Sequence, residues 1–185
     1  MYEIDPVTGD AVARPAVGSR SHEGLRFDAH GNFYGISETS PGFIYKFVPD
    51  AWGDLSAGQL YALKVTSGDP DRVGAAVWVP LDRNAVQVRS DPVAAAAGAT
   101  GYGRPEDVEI AGGVLYVAIT SEHRVIGIDL GSPDSDATFV FDLVRVGVQR
   151  RCRLPLTRQP RARPGQHAVH CRGSRRQLPV EDDRR

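Results

Sequence analysis

Residues 22–50 read HEGLRFDAHGNFYGISETSPGFIYKFVPD, and residues 104–130 read RPEDVEIAGGVLYVAITSEHRVIGIDL. The second stretch repeats the pattern of the first. Glu23 aligns with Glu106, 83 residues on, and Tyr34 with Tyr116, 82 residues on, so the intervening turn is one residue shorter in the second copy. That spacing is about twice the usual ~40–50-residue blade of a β-propeller. Within each copy, short runs of β-branched and aromatic residues are separated by Gly-, Asn- and Asp-rich turns, the signature of antiparallel strands. The cluster Asp28-Ala29-His30-Gly31-Asn32 turns the chain between Leu25–Phe27 and Phe33–Ile36, and Ser40-Pro41-Gly42 turns it again before Phe43–Val48.

Outside the repeat the same grammar holds. Tyr2 and Ile4 alternate with Glu3 and Asp5, a Pro-Val-Thr-Gly turn follows at 6–9, and Val12 resumes the extended pattern. Further strands are expected at Gln59–Val65, Ala75–Leu81, Val108–Ile110, Val114–Ile119, Arg124–Asp129 and Thr138–Val144. Only Asp91–Ala99, with Pro92 suited to a first turn and four alanines after it, reads as a helical turn or two. The fold class is therefore all-β. Radial repetition of short sheets protects strand edges, which favours a propeller over a Greek-key sandwich, the architectural runner-up. A sandwich leaves the close internal repeat unexplained. One blade cannot bury its own faces, and repeat arrays need neighbours. At ~40–50 residues per blade, residues 1–148 hold three to four blades at most, a partial propeller.

Composition divides the chain in two. The 185 residues carry a net charge of -1. Residues 149–185, however, contain eleven arginines against three acids, no lysine, no aromatic residue and both cysteines, Cys152 and Cys171. Residues 1–148 are expected to be the folded domain, and 149–185 an Arg-rich, disordered tail. Nucleic-acid arms mix Lys with Arg and add aromatics for stacking, so no nucleic-acid partner is expected. Two cysteines 19 positions apart with no CxxC give weak evidence for a metal or disulfide. The Arg, Pro, Gln and Leu bias is that of GC-rich DNA read out of frame. Shifting the frame from Val169 onward permits FIAEDPGGNFPSKTIG, which alternates like a strand before an acidic, Gly-rich loop. A frameshift near residues 144–150 is the expectation. No apolar run approaches the ~18 residues of a membrane helix, and Met1-Tyr2-Glu3-Ile4-Asp5 has neither the basic start nor the apolar run of a signal peptide. The body is expected to be cut at both ends.

The ordered set SHEGLRFDAHGNFYGISET, GFIYKFVPD, GDLSAGQLYALKV, GRPEDVEI and GGVLYVAITSE resembles the PhoX-type alkaline phosphatases over residues 1–148. The resemblance implies a secreted or periplasmic six-bladed propeller that hydrolyses phosphate esters with iron and calcium, Fe³⁺ and Ca²⁺, at its axis. It also implies that the cysteine iron ligand and several acidic ligands are missing from residues 1–148.

Glu23 lies in His22-Glu23-Gly24, just ahead of a strand, and blades begin their inner strand near the axis. Carboxylates are hard donors suited to Ca²⁺, and the resemblance implies a metal role for Glu23 and for its repeat-mate Glu106. Arg104 offers a planar fork that matches a phosphate group, and the resemblance implies that it contacts phosphoryl oxygens. The competing reading of each is plainer, a loop carboxylate or an Arg–Glu surface pair worth ~0–1 kcal/mol. Glu38 and Glu122 read as loop acids, His22 as a hydrogen-bonding neighbour, His30 as a solvent-facing turn residue, and Trp52 and Trp78 as packing aromatics. There is no GxSxG elbow and no GxxxxGK[ST] phosphate loop.

These readings predict a fragment of a metal-dependent phosphomonoesterase, inactive as an isolated chain. A calcium-dependent lactonase-like propeller, which needs no phosphate-binding Arg, and a non-catalytic propeller or binding fragment are the alternatives.

Overall fold

The structure is a computed structural model that describes residues 1–132 and 135–145. The Arg-rich segment at 149–185 lies outside the described residues, as does all of the expected frame break at 144–150 beyond Arg145.

Two short strands, β1 (Tyr2–Ile4) and β2 (Ala11–Ala13), form an antiparallel hairpin of their own. Asp5 closes its turn by accepting the amides of Val7 and Thr8, which also holds its carboxyl below the usual range. The remaining strands are β3 (His22–Phe27), β4 (Phe33–Ser37), β5 (Ile44–Pro49), β6 (Gly58–Val65), β7 (Gly74–Pro80), β8 (Pro105–Ala111), β9 (Val114–Ile119), β10 (Arg124–Asp129) and β11 (Ala137–Arg145). They make one nine-stranded antiparallel sheet in the order β3-β4-β5-β6-β7-β11-β10-β9-β8. The repeat explains this order. β3–β6 and β8–β11 are two four-stranded meanders, and β7 joins their last strands, β6 and β11. This is the architecture of a partial β-propeller.

The two ends of the sheet, β3 and β8, return to each other without a hydrogen-bonded ladder. Arg26 reaches Glu109, 83 residues on, at 3.1 Å. A Cβ on Gly24 would meet the backbone of Asp107 and Val108 at 2.7–2.8 Å. Both contacts join residues that the repeat makes equivalent, so the first strands of the two meanders run parallel, side by side.

Turn chemistry accounts for the one-residue difference between the copies. In the first, Asp28 accepts the amides of His30 and Asn32 and binds the Asn32 and Tyr34 side chains. In the second, Gly112 and Gly113 take φ of 59° and 78° and make a two-residue hairpin turn that needs positive φ twice.

Two cores follow from strand alternation. Between the meanders lie Tyr34, Ile36, Val108, Val117 and Ile128, with Trp78 edge-on to Tyr34 at 5.9 Å. On the far face of the first meander, Phe33, Tyr45, Phe47 and Leu60 pack under α1 (Ala85–Val88) and α2 (Ser90–Ala96) through Val86 and Ala94. Each buried aromatic or branched side chain contributes ~1.5–3 kcal/mol. Three expectations need adjusting. Trp52 does not pack in a core; it is exposed and lies over the Gly31 turn. β8 extends beyond Val108–Ile110 in both directions. The turn α1 precedes the expected helix, and Asp82 sets its start by accepting the amides of Asn84 and Ala85.

Candidate active-site cleft

Both inner strands open with a β-bulge, and the bulges fall within one residue of the same place in the repeat. In β3, Glu23 faces Ile36 and Leu25 faces Gly35, which leaves Gly24 unopposed. In β8, Pro105 faces Ile119 and Asp107 faces Ala118, which leaves Glu106 unopposed. A bulge bends its strand and re-aims a side chain, and bulges concentrate beside functional sites. Here the pair turns Glu23 and Glu106 into one cleft of about 390 Å³, lined also by Glu38, Arg104 and Asp107.

Arg104 stands between the carboxylates. Its Nη2 donates to Glu38 at 2.5 Å, and Nη1 lies 2.9 Å from Glu106. The Glu38 hydrogen bond, then the Glu106 charge, push the guanidinium's pKa up. Its backbone sits at φ 56°, a left-handed conformation that costs a non-glycine residue about 1–2 kcal/mol. Four hydrogen bonds hold it there. The Arg104 N–H donates to Thr39 and Tyr102 carbonyls, and its carbonyl accepts from the Thr120 amide and hydroxyl. Strain of this kind persists only where the surroundings over-determine it, which is common at functional sites.

Two acids that sequence reading took for an ordinary loop residue and a helix-start residue hold the cleft's frame. Glu122 accepts the Gly103 amide at 2.5 Å and pairs with Arg72 at 2.6 Å and Arg124 at 3.0 Å. The Arg124 side chain is fully buried and also meets Asp142 at 3.1 Å. Glu122 thus braces the loop that carries Arg104. On the other side, Asp91 accepts the Ser37 hydroxyl at 2.7 Å and the Tyr45 hydroxyl at 2.6 Å. Burial and that hydrogen bond push the Tyr45 pKa up. Asp91 thereby fixes the residue just before Glu38. Asp107 was also missed, although it stands beside Glu106 in the Arg-Pro-Glu-Asp motif.

His22 donates Nε2–H to the Gly18 carbonyl at 3.0 Å. Burial, reinforced by the Arg20 charge, lowers its pKa to about 4, so the ring is neutral at pH 7. His30 is exposed.

The Glu23 side chain has no hydrogen bond or ion pair among the described residues. Its carboxylate, with those of Glu38 and Glu106, offers the hard oxygens that Ca²⁺ or Fe³⁺ takes. Yet among the described residues no group of three or more His, Cys, Asp or Glu is placed to hold a metal ion. Arg104 already engages two of the carboxylates. The cleft therefore suits a share of a hard-cation shell and does not complete one, since Ca²⁺ takes about 6–8 oxygens.

A bulged cleft of carboxylates around one arginine, on a partial propeller, defines the class. Residues 1–143 match the family model Alkaline phosphatase PhoX. The chain belongs to the PhoX alkaline phosphatase family. Among solved structures it is similar to Pseudomonas fluorescens PhoX in complex with vanadate, a transition state analogue, at 23% identity and a TM-score of 0.63. The match covers 76% of this chain and 34% of that one, so the chain spans about a third of the solved relative. No curated protein sequence matches this chain.

Proposed function

We propose that this chain is the part of a phosphoric monoester hydrolase that gathers Glu23, Arg104 and Glu106 beside the propeller axis. The observation that carries the proposal is the pair of bulges, which sets two carboxylates about a single strained arginine. Arg104 presents two N–H groups in a fork that fits two phosphoryl oxygens. The carboxylates now hold that fork in place. Four carboxylates against one guanidinium give the cleft a formal charge of -3. An anionic phosphate ester is therefore repelled until that charge is offset.

Glu23 and Glu106 would be the donors toward Ca²⁺ or Fe³⁺, with the rest of the shell drawn from outside the described residues. Bound metal would polarise phosphoryl oxygens and activate the attacking oxygen. Because the donor set is partial, the isolated chain is expected to turn over no generic phosphomonoester. An exported location for the longer protein belongs to the same proposal.

Calorimetric titration of the chain with orthovanadate, with and without millimolar Ca²⁺, tests the reading. Vanadate should bind only when Ca²⁺ is present. Arg104→Ala should weaken it at least tenfold, since a hydrogen bond to a charged group is worth ~1.5–3 kcal/mol. Vanadate affinity unchanged in Arg104→Ala would remove the phosphate assignment. Hydrolysis of lactones by a variant lacking Arg104 would put the lactonase reading in its place.

A further inference from the structure

The two copies of the repeat make the same main-chain hydrogen bond at the cleft end of their inner strands. In the first, the Glu38 N–H donates to the Ser21 carbonyl at 2.9 Å. In the second, the Thr120 N–H donates to the Arg104 carbonyl at 3.1 Å. Ser21 stands 83 residues before Arg104, and Glu38 stands 82 before Thr120, the two offsets that relate the copies. One position is thus serine in one copy and arginine in the other, and its bonding partner is glutamate or threonine. The main chain makes the bond, so it asks for neither charged side chain. Yet each copy carries one member of the pair, and the two meet across the cleft, with Arg104 Nη2 donating to Glu38 at 2.5 Å.

Glu38 is held in place on both sides. The Ser37 hydroxyl before it donates to Asp91 at 2.7 Å. The Thr39 carbonyl after it accepts the Arg104 N–H at 3.1 Å, which ties the two segments together. Among the described residues the Glu38 carboxylate has no side-chain partner except Arg104. The Arg104 side chain is 52% exposed against 26% for Glu38, so the arginine is the member free to swing. Both ends of its fork are engaged, Nη1 by Glu106 and Nη2 by Glu38. Two phosphoryl oxygens need both nitrogens. Glu106 leaves Nη1 when it serves as a cation donor, whereas Glu38 stays on Nη2 until the phosphoryl group itself takes its place.

We propose that Glu38 is a latch on Arg104, a built-in anion that the phosphoryl group must displace and that sets how tightly such a group binds. The inference rests on the phosphate assignment of Arg104 and adds the residue that regulates it. Glu38 is a positioning residue, acting only through the arginine. An ion pair this exposed shifts an equilibrium by roughly two- to fivefold.

Calorimetric titration of the full chain with orthovanadate in millimolar Ca²⁺ tests the latch through two variants. Glu38→Gln keeps the shape and removes the charge. Glu38→Asp keeps the charge and draws it back by one methylene, out of reach of Nη2. Each should bind vanadate roughly two- to fivefold more tightly than the wild type, with an unchanged circular dichroism spectrum. Asp107→Asn removes a cleft carboxylate that has no ion pair with Arg104 among the described residues, and it should gain less than either. Affinity unchanged in Glu38→Asp would mean that only the summed charge of the cleft matters, and overturns the latch. So does weaker binding in Glu38→Asp, which would make Glu38 a support for the fork. If Glu38→Asp unfolds, Glu38→Gln against Asp107→Asn decides, and equal gains overturn the latch. A wild-type chain that binds no vanadate in Ca²⁺, or whose affinity survives Arg104→Ala, sinks the phosphate assignment itself and the latch with it.

Discussion

Gly24→Ala probes the closure on which the cleft depends. Gly24 sits at φ 39°, where an alanine costs about 1–2 kcal/mol. Its new Cβ would also lie 2.7 Å from the Val108 nitrogen and 2.8 Å from the Asp107 Cα, and backbone cannot rotate away. Overpacking of this kind typically costs ~1–3 kcal/mol. The lower entropy of the unfolded alanine chain offsets roughly 0.4–1 kcal/mol. The net expectation is a loss of about 2–4 kcal/mol. With a urea slope of ~2 kcal/mol/M, the middle of the usual range, the midpoint should fall by about 1–2 M. Gly53→Ala is the control, since Gly53 is at φ 74° with nothing within 4 Å of the added Cβ. It bears only the conformational term, ~1 kcal/mol or less after the same offset. Equilibrium unfolding followed by tryptophan fluorescence reads both. Equal midpoint shifts in the two variants would refute the close β3–β8 approach.

Further outcomes follow from burial and pairing. Trp78→Ala should cost about 3–5 kcal/mol in urea unfolding followed by circular dichroism, because it empties the core between the meanders. Glu122→Gln should cost about 3 kcal/mol, the low end for a broken buried pair because Asp142 still faces Arg124, whereas Arg83→Ala, which removes an exposed pair with Asp50 and an exposed hydrogen bond to Gln59, should cost about 1 kcal/mol. His22 has a folded-state pKa of about 4 against 6.5 when unfolded, so the unfolded chain binds the extra proton. Its contribution is complete above pH 6.5 and fades as pH falls towards 4, by about 1–2 kcal/mol after discounting for partial exposure. His22→Gln should flatten the stability profile in that window, and an unchanged profile would contradict the burial of the ring.

Strands and turns were legible because alternation and turn residues are local. The repeat then gave the deeper result, since equivalence of Glu23 and Glu106 says that both belong to one end of the inner strands. What sequence could not show was long-range. β7 reads like any other strand, and nothing local says that it bridges β6 to β11. Trp52 is apolar like Trp78, but only the fold reveals that its turn projects beyond the sheet. Glu122 and Asp91 stand near loops and caps, where acids are usually solvated. Their bracing roles arise because Gly103, Arg124, Ser37 and Tyr45 come from other elements. Arg104's left-handed backbone has no sequence signature at all, since arginine is not a residue that favours it.

The proposed function stands on the cleft formed by the two bulges. The most direct measurement is anomalous diffraction from crystals of the chain soaked with Ca²⁺ and orthovanadate. Vanadium should appear within hydrogen-bonding distance of the Arg104 guanidinium, with that side chain turned away from Glu38 and with Glu23 and Glu106 facing the cation. Vanadium bound elsewhere while Arg104 keeps both of its ion pairs would contradict the account.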